Sequence, residues 1–149
     1  MTGASVGQSR FLWHCRNIPG VAKAFGQLWG VPTNELVTSF DGCGVWRNYW
    51  QHGGRGSGTQ TDGNWFHLDQ AFHEKPGLDT IQGFLNFFAT NPASGSTVMC
   101  LRSHFDFEQN CAGKPRKGSF VRLTSSSDLE YCRERAVMVT LKPGDLCLW

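Results

Sequence analysis

The sequence predicts a mainly β fold with a helix at its front, of the sandwich or jelly-roll kind. Three observations carry that expectation: a series of short β-rich runs, clusters of turn residues between them, and helical periodicity gathered mostly at the front. The helix comes first. Pro19 to Trp29 places Val21, Phe25, Leu28 and Trp29 at i, i+4, i+7 and i+8, the stripe of an amphipathic helix. Pro19 suits its first turn, and Gly30 and Pro32 end it.

The β-rich runs follow in order: Leu36 to Phe40, Trp65 to Asp69, Thr80 to Phe88, Thr97 to Arg102, Ser119 to Leu123, Ala136 to Leu141 and Asp145 to Trp149. Gly, Pro, Asn, Asp and Ser clusters separate them. A second short helix is expected at Asp128 to Arg135, where the preceding serine run supplies an N-cap. Lys142-Pro143-Gly144-Asp145 has Pro at i+1 and Gly at i+2, the requirement of a type II turn, and predicts a hairpin between the two flanking strands. Gly53 to Gly63 reads as a mobile loop. It runs into a strand, whereas a phosphate cradle opens into a helix N-terminus.

At 149 residues with one composition regime and no internal repeat, the chain is expected to form a single domain, 1–149. Hydrophobic residues at 40% against 17% charged, with 11 Phe and 6 Trp, exclude a disordered chain. A formal charge of +2, spread along the sequence, is too small for a nucleic-acid footprint. Lys114-Pro115-Arg116-Lys117 reads as a solvated loop. No apolar run approaches the roughly 20 residues that span a bilayer, and Met1 to Arg10 lacks the apolar centre of a signal peptide. The six cysteines show no CxxC pair and no framework spacing, so buried free thiols are expected in a soluble, cytoplasmic protein.

The chemistry lies in Trp65-Phe66-His67-Leu68-Asp69-Gln70. Successive side chains on a strand alternate faces, so His67 and Asp69 point one way and Phe66 and Leu68 the other. An HxD pair supplies two ligands of the 2-His-1-carboxylate triad that holds Fe(II) with positions left open for substrate and oxygen. The same spacing also arises in a strand-end pair that only hydrogen-bonds backbone or water. Gln82, Phe84 and Asn86 share the face of the following strand. They read equally as pocket lining or as the polar side of a half-buried strand. Trp65, Phe66, Phe87 and Phe88 are expected in the core.

The ordered series Trp65 to Gln70, Pro76-Gly77, Ile81-Gln82-Gly83, Gly95 leading to Arg102-Ser103-His104, and Leu141 to Trp149 resembles the phytanoyl-CoA dioxygenase family. Ser39-Phe40-Asp41-Gly42 extends the resemblance, which covers nearly the whole chain in order and spacing. It implies a double-stranded β-helix, a cupin-like jelly roll incomplete at its C-terminus. It also implies a dioxygenase that uses Fe(II) and 2-oxoglutarate to hydroxylate a small organic or lipid-like substrate, releasing succinate and carbon dioxide. His67 and Asp69 would then be metal ligands, and Gln82 would face the cofactor or substrate. His104 matches a structural position, and His14, His52 and His73 are expected outside the site.

The family's third ligand, a His, and the Arg that clamps the far carboxylate of 2-oxoglutarate fall after the strand that ends at Trp149. As given, the chain is therefore expected to be a fragment with little turnover of its own. The competing expectation is a non-catalytic β-helix domain that binds a ligand or partner after losing its metal site. A cupin-like metal domain without 2-oxoglutarate is a third.

Overall fold

The computed structural model describes residues 4–39, 42–45, 63–114 and 120–149. Phe40, Asp41, His52, the glycine stretch 53–62, Pro115 to Lys117 and Ser119 lie outside them. The chain forms two compact units, Met1–Arg47 and Asn48–Trp149.

In the first unit, helices α1 (Ala4–Gly7), α2 (Arg10–Arg16) and α3 (Pro19–Trp29) precede a 3₁₀ turn at Thr33–Glu35. Ser9 caps α2, its hydroxyl accepting from the Leu12 amide at 3.3 Å. Helix α3 has the bounds its periodicity predicts, with Pro19 in the first turn and Gly30 in the left-handed conformation at φ 65. Its front half is the covered part. Val21 and Phe25 are half-buried, whereas Leu28 and Trp29 are exposed. Gly26 is buried where the chain folds back, and the Val31 amide donates to its carbonyl at 3.0 Å. Of the strand expected at Leu36 to Phe40, the described residues 36–39 do not take strand structure, and Val37 is exposed.

The second unit contains β1 (His67–Leu68), β2 (Gly83–Leu85), β3 (Val98–Cys100), a 3₁₀ turn at Ser103–Asp106, α4 (Phe107–Cys111), β4 (Val121–Arg122), α5 (Ser126–Arg135), β5 (Ala136–Met138) and β6 (Leu146–Leu148). Among the described residues the strands form three antiparallel pairs, β1 with β4, β2 with β6 and β3 with β5. The fold is thus a mixture of helices and short antiparallel strands, with no closed barrel among the described residues.

The pairing is nested, with β3–β5 lying inside β2–β6 in sequence. The hairpin expected around Lys142 to Asp145 is therefore corrected. The turn itself forms, with Gly144 at φ 91 and the Asp145 amide donating to the Lys142 carbonyl at 3.1 Å. Its flanking strands pair elsewhere. After β5 the chain passes to Thr90, which donates from its amide to the Leu141 carbonyl at 2.8 Å and accepts the Leu141 amide on its hydroxyl at 2.8 Å. Asn86 then receives the turn, its carbonyl accepting the Gly144 amide at 2.8 Å and its side chain donating to the Lys142 carbonyl at 3.1 Å. These backbone bonds outcompete direct pairing of β5 with β6.

Helix α5 begins two residues before its expected start because Ser125 and Asp128 form a reciprocal capping box. The buried cluster is small: Ala71, Cys111 and Val121, flanked by Leu68, Phe72 and Phe107. Three of the aromatic residues expected in the core are exposed instead, Trp65 at 55%, Phe87 at 46% and Phe88 at 81%. Strand alternation stops at Leu85, and Asn86 turns the chain by donating to the Phe88 carbonyl at 2.6 Å, which carries Phe87 and Phe88 out of the sheet. All six cysteines are free. Cys111, Cys132 and Cys147 are buried as expected, Cys15 and Cys100 are half-buried, and Cys43 is exposed.

Candidate metal and ligand site

The pleat of β1 divides its side chains. Leu68 packs against the buried cluster, while His67 and, just past the strand end, Asp69 turn to the other side. His67 Nε2 lies 3.2 Å from Asp69 Oδ1. The two side chains line a cavity of about 390 Å³ together with Trp65, Gln82 and Phe120. All three residues singled out in the sequence for metal or cofactor contact, His67, Asp69 and Gln82, therefore border one space. Its size suits a small molecule, for which pockets run from roughly 300 to 1,000 Å³.

The protonation pattern follows from the partners. A carbonyl oxygen only accepts, so the 3.1 Å contact between His67 Nδ1 and the Trp65 carbonyl is a hydrogen bond in the tautomer that carries its proton on Nδ1. In the neutral imidazole, Nε2 then carries a lone pair. An ionised Asp69 also offers only lone pairs, so two acceptors face each other at 3.2 Å. Such a pair is stable when a cation sits between or beside them, or when His67 holds a second proton and forms an ion pair. A ring nitrogen tied to a backbone carbonyl with the other left free is the arrangement that orients a metal-binding histidine. The donor set fits a borderline or hard divalent cation.

Aromatic rings hold the imidazole in place. Trp65 packs against it at a tilt of 38° with centroids 4.4 Å apart, and Phe120 meets it edge-on at 6.1 Å. Asp69 Oδ2 accepts from the Trp149 indole Nε1 at 2.8 Å. Trp149 is set by its backbone exchange with Gln82, at 2.9 and 3.0 Å, and by an edge contact with Phe84 at 5.9 Å. The loop after the pair is fastened by Gln70, whose Nε2 donates to the Lys75 and Gly77 carbonyls at 2.7 and 2.5 Å and whose Oε1 accepts the Asp79 amide at 3.3 Å.

Sequence reasoning missed Trp65 and Phe120 as walls of the cavity and Trp149 as the partner of Asp69. The Trp149 contact joins positions 80 apart, and no local pattern announces it. His104 lies in the 3₁₀ turn with its ring tilted against Phe105 at 4.1 Å, and His73 meets Phe72 edge-on at 6.3 Å. His14 belongs to α2 in the first unit. Among the described residues no group of three or more His, Cys, Asp or Glu is placed to hold a metal ion, so His67 and Asp69 stand as a pair. No helix of the described residues is long and apolar enough to cross a membrane.

No protein-family profile matches the chain, and no solved structure matches it. The chain is similar to Ava biosynthesis cluster protein O of Aspergillus versicolor, with 28% identity over 159 residues, covering 97% of this chain and 47% of that protein. It thus spans about half the length of the curated relative it matches.

Proposed function

We propose that this chain carries part of the active site of an Fe(II)- and 2-oxoglutarate-dependent dioxygenase of the phytanoyl-CoA dioxygenase type, acting on a small organic substrate. The observation that carries the reading is the convergence of His67 Nε2 and Asp69 Oδ1 at 3.2 Å, with Nδ1 lying 3.1 Å from the Trp65 carbonyl. Two facing acceptors at the rim of a small-molecule cavity are what a cation site needs. The nested pairing of β2–β6 around β3–β5 supports the double-stranded β-helix that the resemblance implies.

In this reading His67 and Asp69 are two of three metal ligands. No third ligand stands beside them among the described residues, so the reading needs one, with a carboxylate-binding arginine, from elsewhere in the protein. Bound iron with 2-oxoglutarate supplies the oxidising power for C–H hydroxylation. The chain's own part is binding and orientation: Trp65 and Phe120 hold the imidazole plane, and the Gln82 amide offers a hydrogen bond to the co-substrate carboxylate or the substrate. A hydroxylase of small molecules also suits a relative named for a biosynthesis cluster.

A second reading has one observation in its favour, the absence of a third ligand among the described residues. Under it, a protonated His67 pairs with Asp69 and the cavity binds a ligand without metal. Substitution in a protein extended past Trp149 separates the two. On the oxygenase reading His67→Ala and Asp69→Ala abolish iron retention and succinate formation while circular dichroism stays unchanged, and Asp69→Glu is also impaired because ligand geometry tolerates shifts of only about half an ångström. Succinate formation that survives both alanine substitutions would leave the pair a structural ion pair.

A further inference from the structure

The two oxygens of Asp69 have different neighbours. Oδ1 faces His67 Nε2 at 3.2 Å, and Oδ2 accepts from Trp149 Nε1 at 2.8 Å. Asp69 follows the last residue of β1, so no ladder bond orients it. The last torsion of an aspartate is broad and nearly two-fold, which leaves the carboxylate plane undetermined by its backbone. Trp149, by contrast, is well anchored. Its backbone exchanges both hydrogen bonds with Gln82 at the end of the β2–β6 ladder, and its ring rests edge-on against Phe84. The indole N–H thus comes from one strand pair and reaches a carboxylate at the end of another. Indole nitrogen donates and never accepts, so Trp149 cannot itself be a ligand.

We propose that Trp149 is a positioning residue for the metal site: its indole N–H holds Asp69 Oδ2 and so presents Oδ1 alone beside His67 Nε2 for single-oxygen ligation. This rests on the reading of His67 and Asp69 as metal ligands. Holding Oδ2 removes the competing two-oxygen mode and fixes the carboxylate before the cation arrives. Partners of this kind typically change metal affinity by about 10- to 100-fold. Trp149 and Asp69 are both partly exposed, which places the expectation at the lower end.

The test uses the 149-residue chain and Co(II), which resists air oxidation, followed by nuclear magnetic resonance. The Trp149 Nε1–H signal is assigned in the parent chain by nuclear Overhauser contacts to its own ring and to Phe84; Trp149→Phe keeps a ring against Phe84 and deletes the donor. In the metal-free chain that signal should move toward the position of a solvent-exposed indole when Asp69→Ala removes the acceptor. Because this reading needs no Trp149 substitution, it stands even if Trp149→Phe folds poorly. Co(II) should broaden the signals of His67 and Trp149, and Trp149→Phe should weaken that binding about ten-fold. An indole signal indifferent to Asp69→Ala, or a folded Trp149→Phe chain that binds Co(II) as tightly as the parent, would overturn the positioning role and leave the ligand pair standing. If the indole signal responds to Asp69→Ala but neither the parent chain nor a protein extended past Trp149 binds Co(II), the ligand reading fails and the positioning role falls with it.

Discussion

Replacing Asp128 with alanine should cost about 2 kcal/mol of stability at neutral pH. The carboxylate Oδ2 accepts the Thr124 and Ser125 amides at 3.0 and 2.9 Å and pairs with the Lys114 ammonium, while the Asp128 amide donates to the Ser125 hydroxyl at 3.1 Å. Alanine keeps the amide bond to the Ser125 hydroxyl and loses the two amide bonds to the carboxylate, at a cost of about 1 kcal/mol. The remainder comes from the charge, which favours the start of α5 by about 0.3–1 kcal/mol and partners a lysine whose side chain is only 18% exposed. Burial alone would push the Asp128 carboxyl up, but hydrogen bonds from Lys114 and Ser125 and the Lys114 charge outweigh it, and the group is held below its ordinary 3.8. A depressed folded value means stability that is fully present above the ordinary value and is lost as pH falls through the folded one. Urea unfolding of the parent and Asp128→Ala should therefore show a gap at pH about 7 that closes as pH is lowered below the ordinary carboxylate range. A gap below about 0.5 kcal/mol, or one that persists unchanged into acid, would refute the reasoning.

Gly26→Ala should destabilise the first unit despite alanine's better helix propensity, worth about 1 kcal/mol, because the new Cβ would lie 2.9 Å from the Val31 carbonyl oxygen, a backbone atom; helical circular dichroism in a urea titration reads the sign. Thiol labelling of the native chain at mildly alkaline pH should modify exposed Cys43 first. Cys132 should react only on unfolding, since burial, reinforced by the neighbouring Cys100 thiol, pushes it up to about 12 and the thiolate is the reactive form. Gln70→Ala deletes three hydrogen bonds to the 75–79 loop and should speed amide exchange at Asp79, with little change in the β2–β6 ladder.

What the sequence made legible was local. Helix α3 was readable because Pro19, the spacing of Val21 and Phe25, and Gly30 all act within a few residues. The same holds for the turn at Pro143-Gly144 and for α5, where only the reach of the Ser125 cap shifted the start. The shared face of His67 and Asp69 also followed from two-residue alternation alone. Pairing was not legible. Adjacent strands suggested a hairpin at Lys142 to Asp145, but Thr90 and Asn86, roughly fifty positions earlier, capture that segment. For the same reason the Trp149 indole on Asp69 had no signal in either local stretch. The exposure of Phe87 and Phe88 depended on a side-chain bond from Asn86 that ended the strand early, which β propensity does not register.

Whether His67 and Asp69 ligate iron in an oxygenase site is decided by an anaerobic Fe(II) titration in the presence of 2-oxoglutarate. It is run on the 149-residue chain and on a protein extended past Trp149, watching the visible metal-to-ligand charge-transfer band. A saturable band is expected in the extended protein, absent from its His67→Ala and Asp69→Ala forms and weak or absent in the 149-residue chain, whose described residues supply only two ligands. An extended protein that develops no such band, or one whose band is untouched by both substitutions, would contradict iron ligation by this pair.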